Sequence, residues 1–325
     1  MLKRTKGKKI RLMSIIFCSM TVSVLLGGCK GSPLSKKEEY RNQGITAVAQ
    51  GRYMDAVVSF EAALKESNGI VKDIDYDISY YLALAEYKAG NHEEAYNIYS
   101  AIIGMDDERA DAYYLRGKVS LYDGKKEEAD KDFNKAVELT KTDHKLYERI
   151  YKDLEACGYK DDGVSYIKRA MENDKKISDY QNGVYSYYLG NYDDARNYLE
   201  KARGKNDNAE LVAYLGKTYS KLGDSGYAAS LFETYLGANP DDAEIYNELG
   251  LIRLQLKDYS GALTAFTRGM ETNDEAYMQS LKYNEIVTYE YMNDFETAKA
   301  KMAEYLNTYP VDEKAQRENI FLSTR

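Results

Sequence analysis

The sequence predicts an all-α fold, a solenoid of about eight helix–turn–helix pairs, and three recurrences predict it. A small residue returns at Ala56, Ala95, Ala129, Gly163, Ala195, Ala228, Ala262 and Ala298, at intervals clustered around 34 residues. Five residues before most of these stands a glycine (Gly51, Gly90, Gly124, Gly158, Gly190, Gly223). Four residues after each stands a bulky apolar side chain: Phe60, Tyr99, Phe133, Ile167, Leu199, Phe232, Phe266 and Met302. A period of about 34 residues with this spacing marks stacked helix hairpins, each too small to bury its apolar face alone.

Placing the small residue at position 20 puts the repeat starts at 37, 76, 110, 144, 176, 209, 243 and 279. Helix A is expected near positions 2 to 14 and helix B near 18 to 31. Position 8 is mostly small (Gly44, Ala83, Gly117, Gly183, Gly216, Gly250), so small residues at 8 and 20 let the two backbones approach. Glycine at 15 supplies the left-handed conformation that ends helix A. The acidic pairs Glu93-Glu94, Glu127-Glu128 and Asp193-Asp194 follow in the first turn of helix B, where the helix dipole favours them. Pro240 and Pro310, at position 32, end helix B.

These residues resemble the tetratricopeptide repeat (TPR) family. That family carries a small residue at 8, alanine at 20, aromatics at 4, 11, 17 and 24, a small residue at 27 and often proline at 32. Tyr40, Tyr113, Tyr147 and Tyr246 stand at position 4, Tyr53, Tyr192, Tyr259 and Phe295 at 17, and Ala63, Ala136, Ala170 and Ala202 at 27. The resemblance spans 37–310 and implies a right-handed solenoid. Residues 311–325 read as a C-terminal capping helix and tail. The fourth repeat departs, with Tyr151 at 8 and Gly163 at 20, and the glycine is expected to make room for the ring. The last repeat departs through Ile286, Asn293 and Met302. The first interval is long, 39 residues, and the fourth is short, 32 residues.

The N-terminal residues 1–28 read as an export signal. Lys3, Arg4, Lys6, Lys8, Lys9 and Arg11 precede an apolar run from Leu12 to Leu26, shorter than the ~20 residues of a membrane span. Leu26-Gly27-Gly28-Cys29 resembles the lipobox of bacterial lipoproteins, which implies lipid attachment at Cys29 and a place on the extracytoplasmic side of the cell membrane. Residues 29–36 form a short tether. Loss of the leader takes the net charge from −8 to −14, which disfavours nucleic acid and anionic lipid as partners. Only Cys157 then remains as a free thiol, so no internal disulfide is expected, and it reads as small and buried.

Catalytic and metal motifs are absent from the pattern. His92-Glu93-Glu94-Ala95-Tyr96 begins like a zinc-protease motif but has Tyr96 at the second ligand position. Asp73, Asp75 and Asp77 begin like a calcium loop, but Ile78 and Leu84 stand where glycine and glutamate are needed. No enzyme activity, cofactor or metal is expected.

Tyrosine is the remaining feature: 33 of them, against no tryptophan. In TPR arrays positions 2, 5, 9 and 12 of helix A line the concave groove. The resemblance places Tyr80, Tyr87, Tyr114, Lys118, Lys152, Tyr180, Tyr187 and Tyr283 there. Tyrosine offers large contact area and a hydrogen-bonding tip, which suits an extended peptide. The expectation is a membrane-anchored scaffold holding a peptide or protein partner in its groove. The alternative is a TPR lipoprotein component of an envelope or cell-wall assembly complex, using the array edges and convex face.

Overall fold

The left-handed turn that closes each hairpin recurs eight times, twice without glycine. The computed structural model describes residues 35–67, 71–204, 208–310 and 312–325. The leader, Cys29 and residues 29–34 of the tether lie outside them. Seventeen α-helices occur among the described residues. Residues 26–181 contain α1 (Lys36–Ala49), α2 (Tyr53–Lys65), α3 (Asp73–Lys88), α4 (His92–Met105), α5 (Ala110–Tyr122), α6 (Lys126–Leu139), α7 (His144–Ala156) and α8 (Lys160–Asn173). Next come α9 (Asp179–Tyr188), α10 (Tyr192–Arg203), α11 (Ala209–Lys221), α12 (Ser225–Ala238) and α13 (Ala243–Gln255). Last are α14 (Tyr259–Glu271), α15 (Glu275–Tyr291), α16 (Phe295–Thr308) and α17 (Glu313–Leu322). The chain divides into two compact units between Gln181 and Asn182, inside the short helix α9 that follows the shortest repeat interval.

At each A-to-B turn one residue lies at positive φ; the six glycines run from 69° at Gly51 to 90° at Gly223. Lys257 and Asn293 hold the same place in the seventh and eighth repeats, at 62° and 60°. The next amide then donates back five residues: Arg52 N–H to the Ala47 carbonyl at 2.9 Å, Asp258 N–H to that of Arg253 at 2.8 Å. This satisfies carbonyls at the helix end that would otherwise lack a donor. In repeats six to eight the aspartates that open helix B (Asp224, Asp258, Asp294) also cap it, their side chains accepting from backbone amides.

Every alanine at position 20 is fully buried, and so is every side chain at position 24 apart from a 3% edge of Tyr99. The glycine at position 8 has a more specific role than close backbone approach. It lies beneath the position-24 side chain of its own hairpin: Gly44 under Phe60, Gly183 under Leu199, Gly216 under Phe232, Gly250 under Phe266. The fourth hairpin inverts this arrangement. Tyr151 fills position 8, Ile167 replaces the ring at 24, and a β-carbon on Gly163 would lie 3.1 Å from Tyr151 Cδ2 and 3.2 Å from its carbonyl oxygen. Gly163 does make room for Tyr151.

Within residues 26–181, α2, α4 and α6 each pack on the A helix of the next hairpin, and α1 touches α3 as α5 touches α7. Within residues 182–325, α10, α12 and α14 pack on the following A helix, α16 packs on α17, and α11, α13 and α15 touch in sequence. This is the wiring of an α-solenoid, as the sequence predicts. The terminal helix α17 lays Ala315 and Leu322 on Ile286, Ala298, Met302 and Tyr305, closing the apolar face of the last hairpin. Asp73, Asp75 and Asp77 belong to α3. Asp75 is buried and accepts from Lys37 at 2.6 Å and from Lys72 N–H at 2.9 Å.

Candidate functional site

Successive A helices are joined by polar rungs, and these rungs take up several of the positions expected to face a groove. Arg41 on α1 reaches Asp77 on α3 at 2.5 Å. Arg149 on α7 reaches Asp111 on α5 at 3.2 Å. Lys217 on α11 reaches Glu248 on α13 at 2.8 Å, and Asn284 on α15 donates to Asn247 on α13 at 2.9 Å.

The densest rung centres on Asp153 of α7, which is only 6% exposed. Its carboxylate accepts from Tyr114 Oη at 2.6 Å and Tyr122 Oη at 3.2 Å, and it pairs with Lys118 Nζ at 2.8 Å, all three from α5. Three donors satisfy a buried charge that would otherwise be costly. The Lys118 ammonium also sits 5.5 Å from the Tyr122 ring, and the Arg149 guanidinium 4.5 Å from that of Tyr114. Burial, and then the Asp153 charge, push the Tyr114 and Tyr122 hydroxyls well above the usual phenol range.

Tyr122 is nevertheless 44% exposed. Lys88, at the end of α3, is exposed too. Yet desolvation, and next the Lys118 charge, lower its ammonium pKa. Tyr87, one residue earlier, stacks on His92 with centroids 4.5 Å apart. His92 in turn contacts Asp123 at 2.6 Å through Nδ1, so it serves the turn of the next hairpin. Burial, then Asp123 and Asp153, raise the Tyr87 hydroxyl. The result is a strip across α3, α5 and α7 with an aromatic and basic surface over a buried carboxylate.

The residues expected at the groove fall into three groups. Tyr87 and Lys118 belong to this strip, and Lys152 is exposed on α7. Tyr80 and Tyr114 are 6% and 4% exposed, so they brace one repeat against the next and offer a partner only an edge. Tyr180, Tyr187 and Tyr283 lie on later helices. Tyr180 is partly exposed near the start of α9. Tyr187 packs edge-on against Tyr188, Tyr192 and Tyr214, with centroids 5.7–5.8 Å apart. The Lys314 ammonium of α17 lies 4.4 Å from the Tyr283 ring. Cys157, expected to be buried, is partly exposed, and burial followed by Asp153 raises its thiol pKa.

Sequence reading missed Asp153, Tyr122 and Lys88. Asp153 had a signal: it holds position 10, where other repeats carry the buried Ala85, Val119, Thr218 and Ile252. A charge in an otherwise buried register needs partners. Tyr122 and Lys88 stand at position 13, outside the four groove positions carried over from the family. Among the described residues, no group of three or more His, Cys, Asp or Glu side chains could hold a metal.

With this wiring and geometry in place, the chain belongs to the tetratricopeptide repeat family. Family models described as tetratricopeptide repeat match residues 41–107 and 215–275, and a second such model matches 110–143. The chain is similar to the BBSome complex member bbs-4 of Caenorhabditis elegans, with 26% identity over 182 residues. That alignment covers 52% of this chain and only 39% of the worm protein. It is also similar to the Photosystem I assembly protein Ycf3 of Prochlorococcus marinus (strain NATL1A), with 26% identity over 141 residues, 40% of this chain and 80% of that one. In fold it resembles a crystal structure of a tetratricopeptide repeat protein from Parabacteroides merdae ATCC 43184, at TM-score 0.51 and 16% identity over 78% of this chain and 98% of that one. TPR proteins are repeat scaffolds that bind proteins or peptides, and no catalytic family is indicated.

Proposed function

We propose that this protein is a lipid-anchored scaffold on the extracytoplasmic side of the cell membrane, and that it holds an extended peptide or protein segment against the α3–α5–α7 strip. The observation that carries the groove is Tyr122, exposed on its face yet fixed at its hydroxyl by the buried Asp153. An aromatic ring held in one rotamer loses little entropy when a partner covers it, so it contributes contact area at low cost. Anchoring rests on the leader and the Leu26–Cys29 motif. Among the described residues no helix is long and apolar enough to cross a membrane.

A photocrosslinking amino acid placed at Tyr122 in cells tests the groove. A discrete protein adduct is expected, and loss of that adduct should follow Tyr87→Ala. Adducts that form equally from an outward position such as Val58 would overturn the reading. Metabolic labelling with a radioactive fatty acid tests the anchor separately: Cys29→Ser should abolish incorporation, and an unlabelled parent chain would remove the membrane from the proposal.

A specific observation favours the assembly-complex alternative as a second reading. Along the turn edge of residues 182–325, Tyr259 and Tyr291 stack with planes 3° apart, and Tyr291, Leu256 and Met292 are exposed. Partner capture that survives Tyr122→Ala but is lost on Tyr291→Ala would favour that edge.

A further inference from the structure

The A-to-B turns share one backbone, yet their side chains differ between the two units. Position 14, the residue just after helix A, is Gln50, Ala89, Asp123 and Cys157 in residues 26–181. In residues 182–325 it is Leu189, Leu222, Leu256 and Met292. Backbone hydrogen bonds close these turns, so the turn itself does not call for an apolar residue there. Tyr227, Leu256, Tyr291 and Met292, each within a turn of a helix end, are 41–60% exposed. The turns of hairpins six to eight form one surface. Ser220 Oγ donates to Gln255 Oε1 at 2.7 Å, joining the sixth to the seventh, and Tyr259 stacks on Tyr291 at 6.2 Å, joining the seventh to the eighth. Two residues after the row Leu222, Leu256 and Met292 runs an acidic row, Asp224, Asp258 and Asp294, with Glu296 exposed beyond it. Each of these aspartates spends one oxygen on a backbone amide. The bases of the same turns are Lys221 and Lys257, and Arg253, 3.9 Å from Asp258, is held more closely by Glu233 at 2.6 Å. The edge is therefore apolar along its middle and acidic along one side.

We propose that the turn edge of hairpins six to eight binds an amphipathic helix of a protein partner, with an apolar stripe at heptad spacing and lysine or arginine along one flank. This rests on the second reading above, the edge used in assembly, and adds to it the chemistry of the partner. The spacing fits a helix. Helices α11, α13 and α15 touch in sequence, and packed helices lie about 8–10 Å apart. Residues seven apart on a helix advance by about 10.5 Å. A helix laid across the three turns would seat one apolar side chain of each heptad on each turn and hold its basic flank over Asp224, Asp258 and Asp294. The same aspartates argue against the other occupants of an apolar edge. They repel an anionic bilayer, and a second copy paired about a two-fold axis would set the acidic row against itself.

The test uses the full chain in phosphatidylcholine nanodiscs, with empty nanodiscs as background, and two end-capped, fluorescein-labelled peptides of about three heptads. Both carry leucine at the first and fourth positions of each heptad; one carries lysine and the other glutamate along the flank. The lysine peptide should bind about tenfold more tightly or better, as close charge pairs at interfaces allow, and should lose that advantage as salt is raised. Asp258→Asn with Asp294→Asn should shrink the preference, and because asparagine still caps a helix the melting temperature should hold. Leu256→Ser with Met292→Ser should weaken the lysine peptide by about tenfold or more, again without lowering the melting temperature, since both side chains are exposed. Equal affinity of the two peptides, or binding untouched by the Leu256 and Met292 substitutions, overturns the proposal. A dye on Met292→Cys that reports apolar surroundings in the nanodisc before any peptide is added would put the edge on the bilayer and overturn it too. Self-association of the chain that Tyr291→Ser abolishes would assign the edge to a second copy instead. If capture of the native partner is lost on Tyr291→Ala while the lysine peptide shows no preference, the edge stands and the basic helix fails. If capture survives Tyr291→Ala and neither peptide binds, both fail.

Discussion

The ring of Phe60 rests on the α-carbon of Gly44. A β-carbon at Gly44 would lie 2.5 Å from Phe60 Cε1, closer than packed carbon atoms approach. The same pairing recurs at Gly216 with Phe232 and Gly250 with Phe266, each inside a single hairpin. Positions 8 and 24 are therefore one packing unit whose two volumes trade against each other.

Gly44→Ala or Gly250→Ala should destabilise the protein by about 1–3 kcal/mol through overpacking, although alanine is the better helix former. Denaturant titration measures it. Adding Phe266→Leu to Gly250→Ala should recover part of the loss. A stabilising Gly250→Ala would contradict the packing unit.

Gly163→Ala should destabilise by about 1 kcal/mol, because a β-carbon there would lie 3.1 Å from Tyr151 Cδ2, 3.2 Å from its carbonyl oxygen and 3.3 Å from its α-carbon. In the background of Tyr151→Ala the same change should cost less, since the ring contact is gone and only the backbone contacts of residue 151 remain. A double-mutant cycle reads the coupling.

Lys257 holds a left-handed conformation that glycine occupies in the first six repeats. Lys257→Gly should stabilise by about 0.5–1 kcal/mol, the relief of backbone strain outweighing the extra freedom of the unfolded glycine. A lower midpoint of chemical denaturation would refute this.

Asp153→Ala should leave Tyr114 Oη, buried between α5 and α7, without its acceptor, at a cost of about 1–3 kcal/mol. Asp153→Ala combined with Tyr114→Phe should be milder than the sum. In either variant the Tyr122 ring loses its anchor, and peptide binding should weaken more than stability does.

Glu290 on α15 has its pKa raised to about 7, by desolvation first and then by Glu318 of α17. Tyr283, Lys314 and Asp312 are the other ionisable groups around this contact between the two helices. A carboxyl whose folded pKa exceeds its unfolded value favours folding when protonated. The penalty is therefore complete above about pH 7 and relieved as pH falls toward the usual glutamate range. With allowance for solvent screening, the melting temperature should fall by about 2–4 °C between roughly pH 5.5 and pH 8. Glu290→Gln should flatten that slope, and an unchanged slope would show that the pair does not set it.

The sequence carried the wiring but not the surface. Hairpin turns were legible because left-handed backbone selects glycine at six of eight turns, and the two exceptions, Lys257 and Asn293, were invisible to the same rule. The buried register at positions 20 and 24 was legible because period and side-chain volume repeat together. Asp153 could have been noticed as a charge at position 10. Tyr80 and Tyr114 read as groove residues because position along a helix says which way a side chain leaves it. It does not say whether the neighbouring helix has already covered it.

By itself, then, the order of residues determined the helix hairpins, their number and their core, since those depend on contacts between residues a few or about 34 positions apart that recur with the repeat. The tertiary structure alone decided which tyrosines remain open and which donors surround the buried Asp153. Those properties arise where α5 and α7 meet, from the particular side chains of two different repeats, and a repeating pattern holds no record of such a meeting.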